Sequence, residues 1–332
     1  MKIGVIGAGT WGTALARLLA DKGYEVTVYS VIEQELKELD RTRVHKNLPG
    51  MVIPDSIVFS SDKQQLCEGK DLLLNVVPSV FVRPTISDLK ENIQEGQIIA
   101  DATKGIEMGT LFTMSQVIRD VLKEKNVKVV ALSGPTHAEE VAKDLPTTIV
   151  SACEDLEAAR YVQNVFMTDN MRVYTNDDVL GVELCGALKN IIALACGIST
   201  GLGFGDNAKA AIITRGMAEM IRLGKACGAK QETFGGLAGI GDLIVTATSM
   251  HSRNNRCDIL IGQGEDPQTA IREIGMVVEG VNALPAAMEL MEKYDVEMPI
   301  TRMVNGIVKE GIDPREAVIE LMRRDKKNEI NY

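Results

Sequence analysis

The stretch that decides the fold is KIGVIGAGTWGTALARLLADKGYEVTVY, residues 2–29 of a chain of 332 residues. It begins with a short apolar strand from Lys2 to Ile6, which leads directly into GAGTWG at Gly7 to Gly12. Apolar residues then recur at helical spacing from Thr13 to Ala20, and Glu25 to Tyr29 indicates a second strand. This order of strand, G-x-G-x-x-G, helix and strand predicts a turn that binds the pyrophosphate of a dinucleotide.

Each glycine of this turn has a physical reason. Gly7 allows a tight turn, Gly9 lets the backbone approach a pyrophosphate, and Gly12 lets the helix pack closely on the strand. The start of the helix points free backbone N–H groups and the positive end of its dipole at the phosphates. The alternative is a glycine-rich turn without a ligand, which the position of the motif between strand and helix disfavours.

The sequence leaves the choice between NAD and NADP open. An acidic residue at the end of the second strand favours NAD, and an arginine there favours NADP. Ser30 to Ile32 has neither, and Glu33 comes late enough to be the start of the next helix. Arg41, Arg43 and Lys46 lie nearby in sequence, where they either serve a 2′-phosphate or belong to a solvated face.

Further apolar runs predict the rest of an α/β Rossmann-type domain with a mostly parallel sheet, at residues 71–77, 97–100, 127–132, 146–151 and 171–174. In open sheets of this kind, ligands bind outside the carboxyl ends of the strands. Pro78, Lys104 and the segment from Gly134 to Ala138 each follow a strand, so we expect them near a site. The alternative for Lys104 is a surface lysine in a turn.

Strand patterns give way to helical ones after residue 176. Helices are expected at residues 179–199, 209–227, 241–249, 254–261, 266–274, 282–293, 301–309 and 314–323. This change of class predicts a dinucleotide-binding domain over residues 1–176 and an all-α, substrate-binding domain over residues 177–332.

The helix expected at Val179 to Ser199 is apolar around most of its circumference, which is typical of a buried helix. Lys189 lies in its middle, where a charge is costly unless a partner or a substrate compensates it. The alternative is a lysine whose stem covers apolar surface while its ammonium reaches water.

Two glycine-rich segments, at residues 201–207 and 235–242, interrupt the helical half. Glycine at this density indicates a backbone that approaches another backbone, a ligand or a partner chain, and is compatible with a homodimer. Ser252 to Asn254 opens the helix that follows, and its donors suit a phosphate or another oxyanion. A capped helix with an exposed arginine is the alternative.

The bulk composition restricts the function classes. A net charge of −10 argues against a general nucleic-acid surface, although it allows a locally positive pocket for a small anion. No apolar run reaches the roughly 20 uninterrupted residues of a membrane span, so no membrane insertion is expected. The start of the chain has no signal-peptide pattern, and the six cysteines are scattered without a CxxC pair. We therefore expect reduced thiols, no metal site and a cytoplasmic location.

Taken together, these segments resemble the bacterial type of NAD(P)-dependent glycerol-3-phosphate dehydrogenase over nearly the whole chain. The segments that carry the resemblance are GAGTWG (7–12), VVPS (76–79), TKGIE (103–107), LSGPTHAEEVA (132–142), ALKNIIA (187–193), GFGDNAKAAIITRGMAEM (203–220), GLAGIGDLIVTATSMHSRN (236–254) and VVEG (277–280). The resemblance implies the reversible reduction of dihydroxyacetone phosphate to sn-glycerol 3-phosphate, with NAD or NADP, for glycerophospholipid synthesis.

The resemblance also implies roles for individual residues. Lys189 is expected to be the catalytic acid and base, with Lys104 as a second catalytic residue that supplies positive charge. The implied substrate contacts are Lys104, Gly134, Thr136, Lys189, Asp242, Ser252, Arg253 and Asn254. The implied nucleotide contacts, besides the three glycines, are Thr10, Trp11, Lys104, Ala138, Arg253, Val277 and Glu279. Whether Asp242 holds Lys189 or a substrate hydroxyl stays open.

The sequence departs from the family pattern at three places. Thr136 replaces a common serine and keeps the hydroxyl, His137 replaces a common phenylalanine, and Ser30 to Ile32 lacks the usual histidine or arginine. The last departure bears on the preference for NADP. Two alternative functions stay open: another two-domain hydroxyacid or sugar-acid dehydrogenase, and a nucleotide-binding sensor without catalysis.

Overall fold

The structure is a computed structural model that describes residues 1–248, 253–275, 278–326 and 328–329. The chain divides into two compact units. The first comprises Met1–Glu107 and Phe112–Val182, and the second comprises Met108–Leu111 and Glu183–Tyr332. The change from one unit to the other thus falls at Val182 and Glu183, whereas the sequence pattern placed the boundary after residue 176.

The first unit is built on one sheet, which has eight strands in the described residues. The strands are β1 (Lys2–Ile6), β2 (Glu25–Tyr29), β3 (Val58–Ser60), β4 (Leu72–Asn75), β5 (Ile98–Asp101), β6 (Lys128–Ser133), β7 (Thr147–Ala152) and β8 (Met171–Asn176). Their order is β3-β2-β1-β4-β5-β6-β7-β8, and every pair is parallel except β6 with β7. The predicted mostly parallel Rossmann-type sheet is confirmed.

Helices cover both faces of this sheet, so strands such as β4 are buried throughout. The helices of the first unit are α1 (Thr10–Asp21), α2 (Glu33–Thr42), α3 (Lys63–Cys67), α4 (Val82–Leu89), α5 (Met114–Val121), α6 (Ala138–Val141) and α7 (Leu156–Phe166). The apolar faces form two cores, one on each side of the sheet. This arrangement leaves the loops at the carboxyl ends of the strands to carry polar groups.

The second unit is helical in its described residues. Its helices are α8 (Val179–Gly201), which starts in the first unit, α9 (Asp206–Ala226), α10 (Gln231–Phe234), α11 (Asp242–Thr248), α12 (Arg253–Gly262), α13 (Pro267–Ile274), α14 (Glu279–Tyr294), α15 (Pro299–Asn305) and α16 (Pro314–Met322). Two short π-helical segments adjoin them, Leu237–Gly241 before α11 and Gly306–Glu310 after α15. The predicted all-α second half is confirmed.

Helix α8 is the centre of the second unit. Its length and mean hydropathy of 1.7 would suffice to cross a membrane, but 89% of its most apolar stretch is buried inside the fold. A helix that is apolar all round and enclosed by protein is a core helix. Lys189, in the middle of α8, is therefore buried rather than directed into water along an apolar surface.

Candidate active site

The glycine turn between β1 and α1 has the geometry that a diphosphate requires. Gly7 has φ of +118°, a conformation that L side chains rarely adopt. A Cβ at Gly12 would collide with the carbonyl oxygen of Gly7, so helix and turn approach each other as closely as their backbones allow. At Gly9, in contrast, no atom would lie within 4 Å of an added Cβ, so the backbone there borders open space. That space is where a ligand can approach the backbone.

The start of α1 leaves its backbone donors available. Gly9 is the N-cap and makes no side-chain hydrogen bond to the helix. A helix without a side-chain cap presents its first N–H groups, and the positive end of its dipole, to whatever lies in front of it. Thr10 and Trp11 are the first two residues of this helix. The turn is thus a suitable place for the pyrophosphate of a dinucleotide.

A buried network joins the loops that follow β4 and β5. The amide of Asn75 donates from Nδ2 to Oδ1 of Asp101 at 2.7 Å and to Oγ1 of Thr103 at 3.1 Å. The Thr103 hydroxyl donates in turn to the carbonyl oxygen of Val77 at 2.9 Å. These bonds fix the backbone immediately before Lys104. The sequence analysis missed Asn75 and Asp101, although both stand at strand ends.

Three of the predicted substrate-binding residues meet at one carbonyl group. Nζ of Lys104 donates to the carbonyl oxygen of Gly134 at 3.3 Å, and Oγ1 of Thr136 donates to the same oxygen at 3.2 Å. Lys104 is half-buried. It therefore lies just past the carboxyl end of β5 with its amine bound to a backbone carbonyl group, rather than fully in solvent.

In the second unit, α8 and α11 bring Lys189 and Asp242 together. Nζ of Lys189 lies 3.0 Å from Oδ1 of Asp242, and the two side chains are 7% and 2% exposed. Nζ also donates to Oγ1 of Thr246 at 2.5 Å. A buried ammonium is tolerated when a counter-charge and hydrogen bonds replace its water. Asp242 thus contacts Lys189, which is one of the two roles that the sequence left open.

Thr246 is a member of this group that sequence reasoning missed. It follows Asp242 by four residues in α11, so both side chains lie on one face of the helix. Its hydroxyl lies 2.7 Å from the carbonyl oxygen of Asp242, to which it donates while it accepts from Lys189. The spacing of Asp242 and Thr246 was a usable signal once Asp242 was singled out.

The two glycine-rich segments behave as their composition predicted, because each contains a glycine packed on backbone. A Cβ at Gly239 would collide with the backbone of Phe234, directly before α11 begins. A Cβ at Gly201 would collide with the carbonyl oxygen of Ile259 on α12. At both places a side chain in place of the glycine would push the backbones apart.

For the other predicted site residues, the structure gives the position in a helix or no position at all. Ala138 and Glu279 are the first residues of α6 and α14. Arg253 and Asn254 open α12, and the described part of the chain includes their backbone but not their side chains. Ser252 and Val277 lie outside the described residues.

Comparison with known proteins identifies relatives of the whole chain. The sequence profile of the N-terminus of NAD-dependent glycerol-3-phosphate dehydrogenase matches residues 2–159, and that of the C-terminus matches residues 178–319. Glycerol-3-phosphate dehydrogenase [NAD(P)+] 2 from Lactobacillus delbrueckii subsp. bulgaricus is 61% identical over 99% of both chains. Glycerol-3-phosphate dehydrogenase [NAD(P)+] from Fusobacterium nucleatum is 49% identical, also over 99% of both chains.

Solved structures agree with this result. The crystal structure of glycerol-3-phosphate dehydrogenase from Coxiella burnetii has a TM-score of 0.93 and 40% identity, and the match covers 97% of this chain and 99% of that one. A ketopantoate reductase from Ralstonia eutropha has a TM-score of 0.64 at 17% identity over 96% of this chain. At that identity the likeness extends to the fold alone.

Proposed function

The chain belongs to the NAD-dependent glycerol-3-phosphate dehydrogenase family, and from this premise we propose how its own residues carry out the reaction. The enzyme is an NAD(P)-dependent oxidoreductase that acts on a CH–OH group and interconverts dihydroxyacetone phosphate and sn-glycerol 3-phosphate. The observation that carries the proposal is the buried amine of Lys189, held by Asp242 and Thr246. A buried, paired ammonium is suited to exchange a proton with a substrate oxygen.

The glycine turn would bind the cofactor, since its open space at Gly9 and the uncapped start of α1 fit a diphosphate. When bound, the nicotinamide supplies the hydride. The three glycines would contact the diphosphate with Thr10 and Trp11. The further nucleotide contacts that we propose are Lys104, Ala138, Arg253, Val277 and Glu279.

Lys189 would act on the oxygen of the reacting carbon. In the direction of ketone reduction, its ammonium donates a hydrogen bond to the carbonyl oxygen, stabilises the negative charge that develops there, and gives up the proton. Asp242 keeps the ammonium oriented through the 3.0 Å contact. In the direction of alcohol oxidation, the neutral amine of Lys189 takes the hydroxyl proton, so that Lys189 acts as a base instead of an acid.

Two regions would recognise the rest of the substrate. The start of α12, with Ser252, Arg253 and Asn254, would bind the phosphate, because an arginine fork matches phosphate oxygens and a helix start attracts anions. Lys104, Gly134 and Thr136, which meet at the Gly134 carbonyl, would supply further polar contacts and positive charge. This division assigns the phosphate to one group and the reacting oxygen to another.

We further propose that the enzyme works in the cytoplasm as a homodimer, without membrane insertion, and that its product feeds glycerophospholipid synthesis. The buried state of α8 supports the absence of insertion. Size measurement in solution tests the dimer.

Initial rates test the proposed function. Oxidation of NADH and of NADPH should be followed in parallel with dihydroxyacetone phosphate and with an unphosphorylated 2-keto acid. The proposal expects turnover with the phosphorylated ketone and a kcat/KM for the keto acid lower by at least about 100-fold, because the groups that bind the phosphate have no partner in the unphosphorylated acid. Preference for the keto acid would indicate a hydroxyacid dehydrogenase, and nucleotide binding without turnover would indicate a sensor.

A further inference from the structure

We propose that Glu35, held by Ser30 at the carboxyl end of β2, makes this enzyme prefer NADH over NADPH. The inference rests on the proposed function, because it specifies which cofactor the same site takes. It concerns the place where the two cofactors differ, the 2′ position of the adenosine ribose. NADPH carries a phosphate there, with between one and two negative charges, and NADH carries a hydroxyl.

The end of β2 lies against the glycine turn. The backbone N–H of Gly7 donates to the carbonyl oxygen of Tyr29, the last residue of β2, at 2.8 Å. Ser30 follows directly. In dinucleotide-binding sheets, the side chains just beyond the second strand meet the adenosine ribose when the diphosphate lies on the glycine turn. Ser30 and its neighbours therefore occupy the position that distinguishes the two cofactors.

A carboxylate is held at this position, but it belongs to Glu35 and not to a residue at the end of the strand. The Ser30 hydroxyl donates to Oε2 of Glu35 at 3.3 Å and accepts from the backbone N–H of Ile32 at 3.1 Å. Ser30 itself is only 8% exposed, so its hydroxyl is held in place. Glu33, which comes first in sequence, opens α2 and pairs instead with Lys37. The acidic residue at this position, Glu35, thus belongs to the first turn of α2.

Two exposed apolar side chains follow Ser30 in the chain. Val31 and Ile32 are 73% and 58% exposed, although the strand before them is buried from its second residue on. Adjacent exposed apolar groups next to a ligand site offer a surface for an aromatic ring. An adenine ring placed against them would set the neighbouring ribose close to Ser30 and Glu35.

The basic residues that would favour a 2′-phosphate are otherwise engaged or displaced. Nη2 of Arg43 donates to Oδ1 of Asp40 at 2.7 Å, and its Nη1 donates to the carbonyl oxygen of Ile57 at 2.9 Å. Arg41 lies in the last turn of α2, about 9 Å along the helix axis from Glu35 at 1.5 Å per residue. The basic groups of α2 and its C-cap thus do not offset the carboxylate.

Lys46 is the competing group. It precedes Asn47, whose Nδ2 donates to Oγ1 of Thr10 in the glycine turn at 3.1 Å. This contact brings residues 46 and 47 to the nucleotide side of the first unit. If Lys46 bound a 2′-phosphate, its charge would oppose the effect of Glu35, so the two residues must be tested together.

The experiment compares the wild type with Glu35→Gln, Lys46→Gln and the control Glu38→Gln. Glu38 is an exposed acid on the same helix, so its variant has the same change in net charge. kcat/KM is measured for NADH and NADPH at saturating dihydroxyacetone phosphate. Dissociation constants for both cofactors are measured separately by the quenching of Trp11, the one tryptophan of the chain, which lies in the glycine turn.

We expect the wild type to favour NADH in both measurements. Glu35→Gln should raise kcat/KM and affinity for NADPH by roughly tenfold, because it removes a like charge a few ångströms from the phosphate. Its values for NADH should change by no more than about threefold, since an amide can still hydrogen-bond a ribose hydroxyl. Glu38→Gln should leave the ratio of the two cofactors unchanged.

Three results would overturn the inference: a wild type that favours NADPH, an equal response to Glu35→Gln and Glu38→Gln, or a selective loss of NADPH binding in Lys46→Gln larger than the gain in Glu35→Gln. Because binding is measured without turnover, a chain that binds NADH in preference to NADPH but does not reduce the ketone would contradict the proposed function and support this inference.

Discussion

The second unit buries several acidic side chains, and two of them, Asp242 and Glu219, face different kinds of groups. Asp242 is 2% exposed and lies 3.0 Å from the amine of Lys189. Glu219, on α9, is 1% exposed and accepts hydrogen bonds from the backbone N–H groups of Ile300 and Thr301 at 2.6 and 3.1 Å. Burial alone therefore does not identify a catalytic acid.

The partners decide the role of each acid. Glu219 caps the start of α15, where it satisfies donors that the helix cannot satisfy itself, and the Thr301 hydroxyl adds a third hydrogen bond at 3.0 Å. Backbone N–H groups do not exchange protons with a substrate on the time scale of turnover. The comparison thus favours a stabilising role for Glu219 and supports the catalytic role proposed for the group of Lys189, Asp242 and Thr246.

Of the variants that compare the two carboxylates, Asp242→Asn should have the largest effect on kcat. This change keeps the shape of the side chain but removes the carboxylate that lies 3.0 Å from the buried ammonium of Lys189. We expect kcat to fall by at least about 100-fold, together with a loss of stability of about 3 kcal/mol or more. Kinetics should be measured at a temperature at which circular dichroism shows the variant folded. Wild-type kcat in the folded variant would exclude Asp242 from the mechanism.

The contrasting variant is Glu219→Ala, which leaves three buried donors without an acceptor. The expected loss in the free energy of unfolding is about 2–4 kcal/mol, measured with urea. kcat and KM of the folded fraction should stay within about twofold of the wild type, because the variant touches no group in the proposed chemistry. A loss of kcat as large as that expected for Asp242→Asn would contradict the purely stabilising role of Glu219.

A third test uses pH to ask which form of Glu219 the fold favours. Burial raises the pKa of Glu219 from 4.5 to about 7, although the three hydrogen bonds and Arg222 act in the opposite direction. A raised carboxyl pKa means that the folded state holds the proton more tightly than the unfolded state. The contribution to stability is therefore complete below pH 4.5 and is lost as pH rises through 7.

The measurement is the difference in unfolding free energy between the wild type and Glu219→Gln from pH 5 to pH 8. Because glutamine does not titrate, the advantage of the wild type should shrink with rising pH, by about 1–3 kcal/mol across this range. An advantage that grows with pH would show that the fold favours the carboxylate.

Among changes to the group of Lys189, Asp242 and Thr246, the smallest effect on kcat should come from Thr246→Val, which removes the hydroxyl that orients Lys189 but keeps the volume. We expect kcat to fall by about fivefold to tenfold with little change in KM, because one hydrogen bond is worth about 1 kcal/mol. Thr246→Ser should restore most of the rate, since it returns the hydroxyl. Equal rates for the valine and serine variants would reduce Thr246 to a packing role.

Periodic patterns explain why most of the fold was predictable. The apolar strands, the glycine turn and the long helix α8 each have a local signature, because burial on one or both faces repeats along the sequence. β3 was missed because it has only three residues and is partly exposed. The π-helical segment before α11 was missed because its glycine-rich sequence disfavours a helix of any kind.

The site was predictable only in part. The resemblance singled out Lys189 and Asp242, but pairing between α8 and α11 is a tertiary contact that no local pattern reports. Thr246 and Asn75 are ordinary polar residues until their partners are known. Glu219 has no signature at all, since a glutamate in a helix is usually exposed and its buried state depends on where α15 begins.

The central claim is that the amine of Lys189 donates the proton to the forming alcohol. Its most direct test is kcat of Lys189→Ala with dihydroxyacetone phosphate and NADH, with NADH affinity measured by Trp11 quenching and Glu219→Ala as the destabilised but active control. We predict a loss in kcat of about 1,000-fold or more with NADH affinity changed by less than about threefold. A Lys189→Ala enzyme that binds NADH normally and keeps kcat within about tenfold of the wild type would contradict the claim.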